Sequence, residues 1–158
     1  YRCSVVEIMG RHCGDLTIFS GLASGVEDLI IPEADFDLNE VVDRILTGKK
    51  QGKRHFIIAL AELITDAHQL AKDLERLTGV ETRATIIGHI QRGGKPSPFD
   101  RILASRLGAY AVELLVEGKG GRCVGVHDGQ LVNYDIDEAL QMERKFHEDL
   151  YQLCKTLS

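Results

Sequence analysis

The chain has 158 residues and a mass of 17.5 kDa, enough for one ordinary domain or two small lobes. Hydrophobic residues make up 44% and charged residues 27%, a globular balance that excludes a disordered or collagen-like chain. A formal net charge of -5 without a basic tail argues against a nucleic-acid coat and against binding to an anionic membrane. The four cysteines, Cys3, Cys13, Cys123 and Cys154, are scattered without a CxxC pair. That pattern speaks against a zinc ribbon or disulfide framework and for reduced thiols. No apolar run reaches bilayer length and no signal-peptide pattern opens the chain, so a soluble, cytoplasmic protein is expected. The sequence starts at Tyr1, inside what already reads as a strand, which suggests a piece cut from something larger.

In chain order, residues 3–8 read as a strand, β-branched and apolar at Val5, Val6 and Ile8, running into Met9, Gly10 and Arg11. Residues 16–23 read as a buried helix, and 28–32 as a short strand ended by Pro32. Asp37 with Glu40 three residues later has capping-box spacing. Leu38, Val41, Val42, Ile45 and Leu46 then form the stripe of an amphipathic helix. Residues 56–61 are continuously apolar, as in a strand covered on both faces. Asp66 caps a helix with stripe Leu70, Ala71, Leu74 and Leu77, stopped by Gly79, and residues 82–87 read as another strand. This alternation predicts an α/β fold with a mainly parallel sheet flanked by helices.

The Gly- and Pro-rich stretch 93–98 breaks the pattern and marks a lobe boundary. Beyond it, a helix is expected over 99–117 with Ile102, Leu103, Leu107, Tyr110, Leu114 and Leu115 inward. Strands at 123–126 and 130–134 flank Asp128-Gly129, a hairpin signal. Residues 137–157 read as one charged helical segment.

Three strand ends carry residues suited to chemistry: Met9-Gly10-Arg11; Glu62; and His89-Ile90-Gln91-Arg92-Gly93-Gly94, with Arg83 earlier on the last strand. Guanidinium forks match phosphate oxygens and a carboxylate matches sugar hydroxyls. Paired glycines let the main chain approach an anion closely. A phosphorylated sugar fits this inventory; each residue alone reads more readily as a plain surface charge or a satisfied strand-end group, and only their co-location at strand ends balances the two readings. The basic turn Lys49-Lys50-Gln51-Gly52-Lys53-Arg54-His55 follows a helix end. It reads as a solvated face with a second anion site as the alternative. Asp66 and His68 lack the further ligands a metal site needs. No Walker A and no GxGxxG occurs, so the acceptor pocket of a phosphoryl transfer is represented without its donor cradle.

Val6-Glu7-Ile8-Met9-Gly10-Arg11, Gly88-His89-Ile90-Gln91-Arg92-Gly93-Gly94 and Asp100-Arg101-Ile102-Leu103-Ala104-Ser105-Arg106 resemble the C-terminal half of bacterial ATP-dependent 6-phosphofructokinases. The resemblance extends over essentially the whole chain. It implies a glycolytic kinase that moves the γ-phosphate of ATP to the 1-hydroxyl of fructose 6-phosphate. It also implies a substrate and effector lobe at 1–90, part of an incomplete nucleotide lobe at 91–141, and a helix at 142–158 returning to the first lobe. By position, Met9, Gly10 and Arg11 would line the sugar-phosphate pocket, with Arg11 also stabilising the transferring phosphoryl group. Glu62 would hold hydroxyls, and the 89–92 turn (His89, Ile90, Gln91, Arg92) would close the pocket, with His89 and Arg92 on the 6-phosphate. Arg2 and Arg83 would reach a neighbouring subunit's pocket.

An effector such as ADP, GDP or phosphoenolpyruvate would meet Gly25, Val26, Glu27, Gln51, Lys53, Arg54 and His55, with Glu27 on an effector-bound Mg²⁺. Gln51 departs from the lysine often found in relatives. The resemblance further implies a homotetramer when full length. It places the ATP site and the main Mg²⁺ site in the missing N-terminal half, so the 158 residues alone should be inactive. Two other readings remain at this stage: a pyrophosphate-dependent phosphofructokinase, and a non-catalytic sugar-phosphate-binding regulatory module. No partner of nucleic-acid or membrane type is expected.

Overall fold

A computed structural model describes residues 1–158 and divides them into two compact units, residues 1–93 with 146–158, and residues 94–145. The first holds β1 (Arg2–Ile8), α1 (Asp15–Ser24), β2 (Asp28–Ile30), α2 (Leu38–Lys50), β3 (His55–Ala61), α3 (Ala67–Thr78) and β4 (Glu81–Ile86). A single 3₁₀ turn (His89–Gln91) follows β4. The sheet has the order β2-β3-β1-β4, and every pairing is parallel.

Alternation along β3 explains the two-sided core. Phe56, Ile58 and Leu60 meet Val41, Ile45, Leu70 and Leu74 of α2 and α3 on one face. Ile57 and Ala59 meet Ile18 of α1 on the other, together with Tyr151 and Cys154 of the helix at Glu148–Leu157. Each fully buried Leu or Ile side chain here contributes about 1.5–3 kcal/mol of transfer free energy. Local signals place the helices. Asp66 Oδ1 accepts the Gln69 N–H at 2.7 Å, and Gly79 ends α3 with φ 65, a backbone that a side chain disfavours.

The second unit holds α4 (Pro98–Val116), β5 (Arg122–His127), β6 (Gln130–Asp135) and α5 (Ile136–Gln141). β5 and β6 pair antiparallel around Asp128 (φ 50) and Gly129 (φ 76), the doubly left-handed turn that matches strand twist.

Several expectations are corrected. Asp37 caps α2 through the Asn39 N–H, whereas the reciprocal capping box stands at Ser97 and Asp100 of α4. Leu77 is exposed and Thr78 takes its place in the core. α1 buries Thr17, Ile18 and Gly21 but leaves Leu16 and Phe19 half exposed. On α4 only Leu114 is buried, while Ile102 and Leu115 are 62% and 65% exposed. Residues 137–157 do not form one helix: α5 ends at Gln141 and α6 (Glu148–Leu157) begins seven residues later. No helix is long and apolar enough to cross a membrane.

Candidate functional site

Parallel pairing in register brings Ile8, Ala61 and Ile86 to one edge of the sheet, where open α/β sheets gather ligands. The ladder continues past the strands: the Glu62 N–H donates to the Ile8 carbonyl at 2.9 Å and the Ile87 N–H to the Glu7 carbonyl at 3.0 Å. The segments that follow are therefore placed by main chain. Their side chains then interlock. Glu62 Oε1 accepts the N–H of Gly10 at 3.1 Å and of Arg11 at 2.8 Å. Gln91 Oε1 accepts the Met9 N–H at 2.6 Å, and Arg92 Nε lies 3.5 Å from Met9 Sδ. Arg11 has φ 49, unusual for a residue with a side chain. A Cβ at Gly10 would collide with the Cys13 carbonyl, which excludes other residues there.

The electrostatics separate two carboxylates at this edge. The N–H groups of Gly10 and Arg11, then the charges of Arg11 and Arg92, hold the Glu62 carboxyl below its ordinary value. Glu7, on β1, is pushed up by burial and then by the charge of Glu62. The edge thus presents an ionised carboxylate with the charges of Arg11 and Arg92 beside it, and His89 is exposed on the turn that carries Gln91. Such a set can hold hydroxyls and a phosphate together. Ile90 is exposed on the same turn.

Arg2 and Arg83 are not brought to this edge. They stand at the opposite end of the sheet, where a 170 Å³ cavity is lined by Arg2, Cys3, Ser4, Glu81 and Arg83. Glu81 bonds Arg83 at 2.7 Å and lies 3.8 Å from Arg2.

Of the other expected anion-binding residues, three line a cavity of about 410 Å³ beside α2, and Gly25, Val26, Arg54 and His55 do not. Glu27, Gln51 and Lys53 line it, joined by Glu40, Asp43, Arg44 and Thr47. Gly25 (φ 65) ends α1 and Val26 is buried, while Arg54 and His55 are exposed. The sequence offered a sign for the additional residues: Glu40, Asp43, Arg44 and Thr47 are spaced as one polar stripe of α2. Buried Glu27 uses both carboxylate oxygens, one on Lys53 Nζ at 2.8 Å and one on the Ile57 N–H. With its oxygens engaged and a lysine against it, Glu27 does not fit a divalent cation. No group of three or more His, Cys, Asp or Glu residues is arranged to hold one either.

A family model described as Phosphofructokinase matches residues 1–115. The chain belongs to the phosphofructokinase family. It is 56% identical over 157 residues to an ATP-dependent 6-phosphofructokinase of Photobacterium profundum, covering 99% of this chain and 49% of that protein. It is 52% identical over 157 residues to an ATP-dependent 6-phosphofructokinase of Bacillus subtilis (strain 168), with the same coverage. Among solved structures, phosphofructokinase from Saccharomyces cerevisiae matches with a TM-score of 0.77 and 31% identity, over 89% of this chain and 20% of that one. The chain spans about half the length of the curated relatives it matches. Every residue of the interlocked sheet edge falls inside the phosphofructokinase match.

Proposed function

We propose that the chain is the C-terminal half of an ATP-dependent 6-phosphofructokinase and supplies its acceptor site. The observation that carries this reading is the convergence at one sheet edge of Met9, Gly10, Arg11, Glu62 and Arg92, linked by hydrogen bonds and a close Arg92–Met9 contact. The 56% identity to an enzyme of that name supports ATP as donor. In this reading residues 1–90 form the substrate and effector lobe, 91–141 belong to the nucleotide lobe, and 142–158 return to the first.

His89 and Arg92 grip the 6-phosphate of fructose 6-phosphate as a charge-assisted pair. The Glu62 oxygen not engaged by Gly10 and Arg11 accepts sugar hydroxyls. Arg11 places its charge where negative charge gathers on the transferring phosphoryl group. Mg²⁺ enters such a reaction with the donor phosphates, and none of the steps assigned to these residues runs through it. Arg2 and Arg83, on the opposite sheet edge, serve a neighbouring subunit of a homotetramer. The cavity at Glu27, Gln51 and Lys53, with Arg54 and His55 nearby, takes a nucleoside diphosphate or phosphoenolpyruvate effector. A cytoplasmic setting accords with this metabolism.

The test is a coupled assay of the full-length enzyme with fructose 6-phosphate and either ATP or pyrophosphate. Turnover with ATP and Mg²⁺ alone supports the reading. Turnover only with pyrophosphate reassigns the donor, and binding of sugar phosphate without turnover of either donor makes the protein a binding module.

A further inference from the structure

Resting on the acceptor-site reading above, we propose that Gln91 is a positioning residue: its side-chain carbonyl ties the main chain before Arg11 to the turn that carries His89 and Arg92. Three successive N–H groups, of Met9, Gly10 and Arg11, leave the end of β1, and all three are taken by side chains from other strand ends. Glu62 takes two of them and Gln91, 82 residues away in sequence, takes the first. These bonds matter because the segment they restrain is not a relaxed one. Arg11 adopts φ 49, a conformation that persists in a non-glycine residue only when its surroundings over-determine it.

The tie also couples the two ends of the acceptor site. Met9 offers its N–H to Gln91 and its sulfur to Arg92 Nε, so the Met9 residue is the hinge pin between the Arg11 turn and the Arg92 turn. Gln91 thereby sets the separation between the group assigned to the phosphoryl end of the substrate and the group assigned to its 6-phosphate. Displacing either by about 1 Å is enough to cost up to a hundredfold in rate without loss of the contact itself.

The experiment uses the full-length enzyme with Gln91→Met, a similar shape without the acceptor, and Gln91→Glu, whose carboxylate still accepts the Met9 N–H. Gln91→Met is expected to lower kcat about tenfold while changing KM for fructose 6-phosphate less than about threefold, and Gln91→Glu to recover most of that loss. In parallel, amide hydrogen exchange of the peptide covering residues 5–13 should quicken in Gln91→Met and not in Gln91→Glu. The exchange result is independent of turnover, so it decides the tie even if the wild-type enzyme proves not to use fructose 6-phosphate. A raised KM with unchanged kcat would make Gln91 a direct ligand and overturn the proposal, as would unchanged exchange in Gln91→Met.

Discussion

The unit of residues 1–93 with 146–158 buries apolar side chains on both faces of a four-stranded sheet, whereas the unit of residues 94–145 buries only Leu114. A two-stranded ribbon and one long helix cannot enclose a core of their own, since independent stability takes about three strands or more. The interlocked groups at the sheet edge stand on the unit that does enclose one. Holding side chains to within about 0.5 Å requires such rigid support, and the first unit is the one that supplies it to the interlocked side chains.

The largest effect that tests this contrast is on stability. Leu74→Ala, in the core between α3 and the sheet, should cost about 3 kcal/mol, while Leu115→Ala on α4 should cost less than about 0.5 kcal/mol. Urea denaturation of the 158-residue chain measures both, and equal costs would show that α4 packs as a core helix after all. Next come the helix caps, where the units should behave alike because the signal is local. Asp66→Ala on α3 and Ser97→Ala on α4 should each cost about 1 kcal/mol in the same measurement.

A smaller effect is read through pH. The folded Glu62 carboxyl lies below its ordinary value because the Gly10 and Arg11 N–H groups favour the ionised form. Its stabilisation is present above the unfolded value, about 4.3, and is lost as pH falls through the folded one. Glu7 runs the other way: burial raises it, so its ionisation weakens the fold as pH rises through the window between its unfolded and folded values. Glu62→Gln should therefore reduce the acid-limb slope of stability, and Glu7→Gln should remove a loss on the neutral side. Stability profiles that coincide for the two variants would erase the distinction between these carboxylates.

Gln51→Lys should act least. It adds one charge to a cavity where Glu27, Glu40 and Asp43 outnumber Arg44 and Lys53, and one partly screened charge is worth up to about fivefold in affinity. Titration of the full-length enzyme with ADP should show that tightening; an unchanged midpoint means position 51 does not meet the ligand.

Much of the first unit was legible because local chemistry and periodicity agree there. Asp66 and Gly79 bound α3, and the apolar run of β3 is covered on both faces. In the second unit, Asp128-Gly129 makes its hairpin for the same local reason. Other features depend on what periodicity does not encode. The stripe on α4 says which residues share a face but not whether anything covers it, so Ile102 and Leu115 are exposed against expectation. Strand register put Arg83 opposite Ser4, near the start of β1, far from the Glu62 edge that composition alone had grouped with it. The break between α5 and α6 falls in Met142-Glu143-Arg144-Lys145-Phe146-His147, which contains neither proline nor glycine to announce it. The Ser97-x-x-Asp100 capping signal was present in the sequence. The Gln91 and Glu62 ties were not, because side-chain bonds to main chain across 51 to 82 residues leave no spacing pattern.

The central claim is that the edge formed by Arg11, Glu62 and Arg92 receives a phosphorylated sugar. A crystal structure of the full-length enzyme with fructose 6-phosphate tests it most directly. The account predicts the 6-phosphate on His89 and Arg92, with sugar hydroxyls on Glu62 and the 1-hydroxyl facing Arg11. A phosphate seated instead against Lys53 and Arg54, with the Glu62 edge free of sugar, would contradict it.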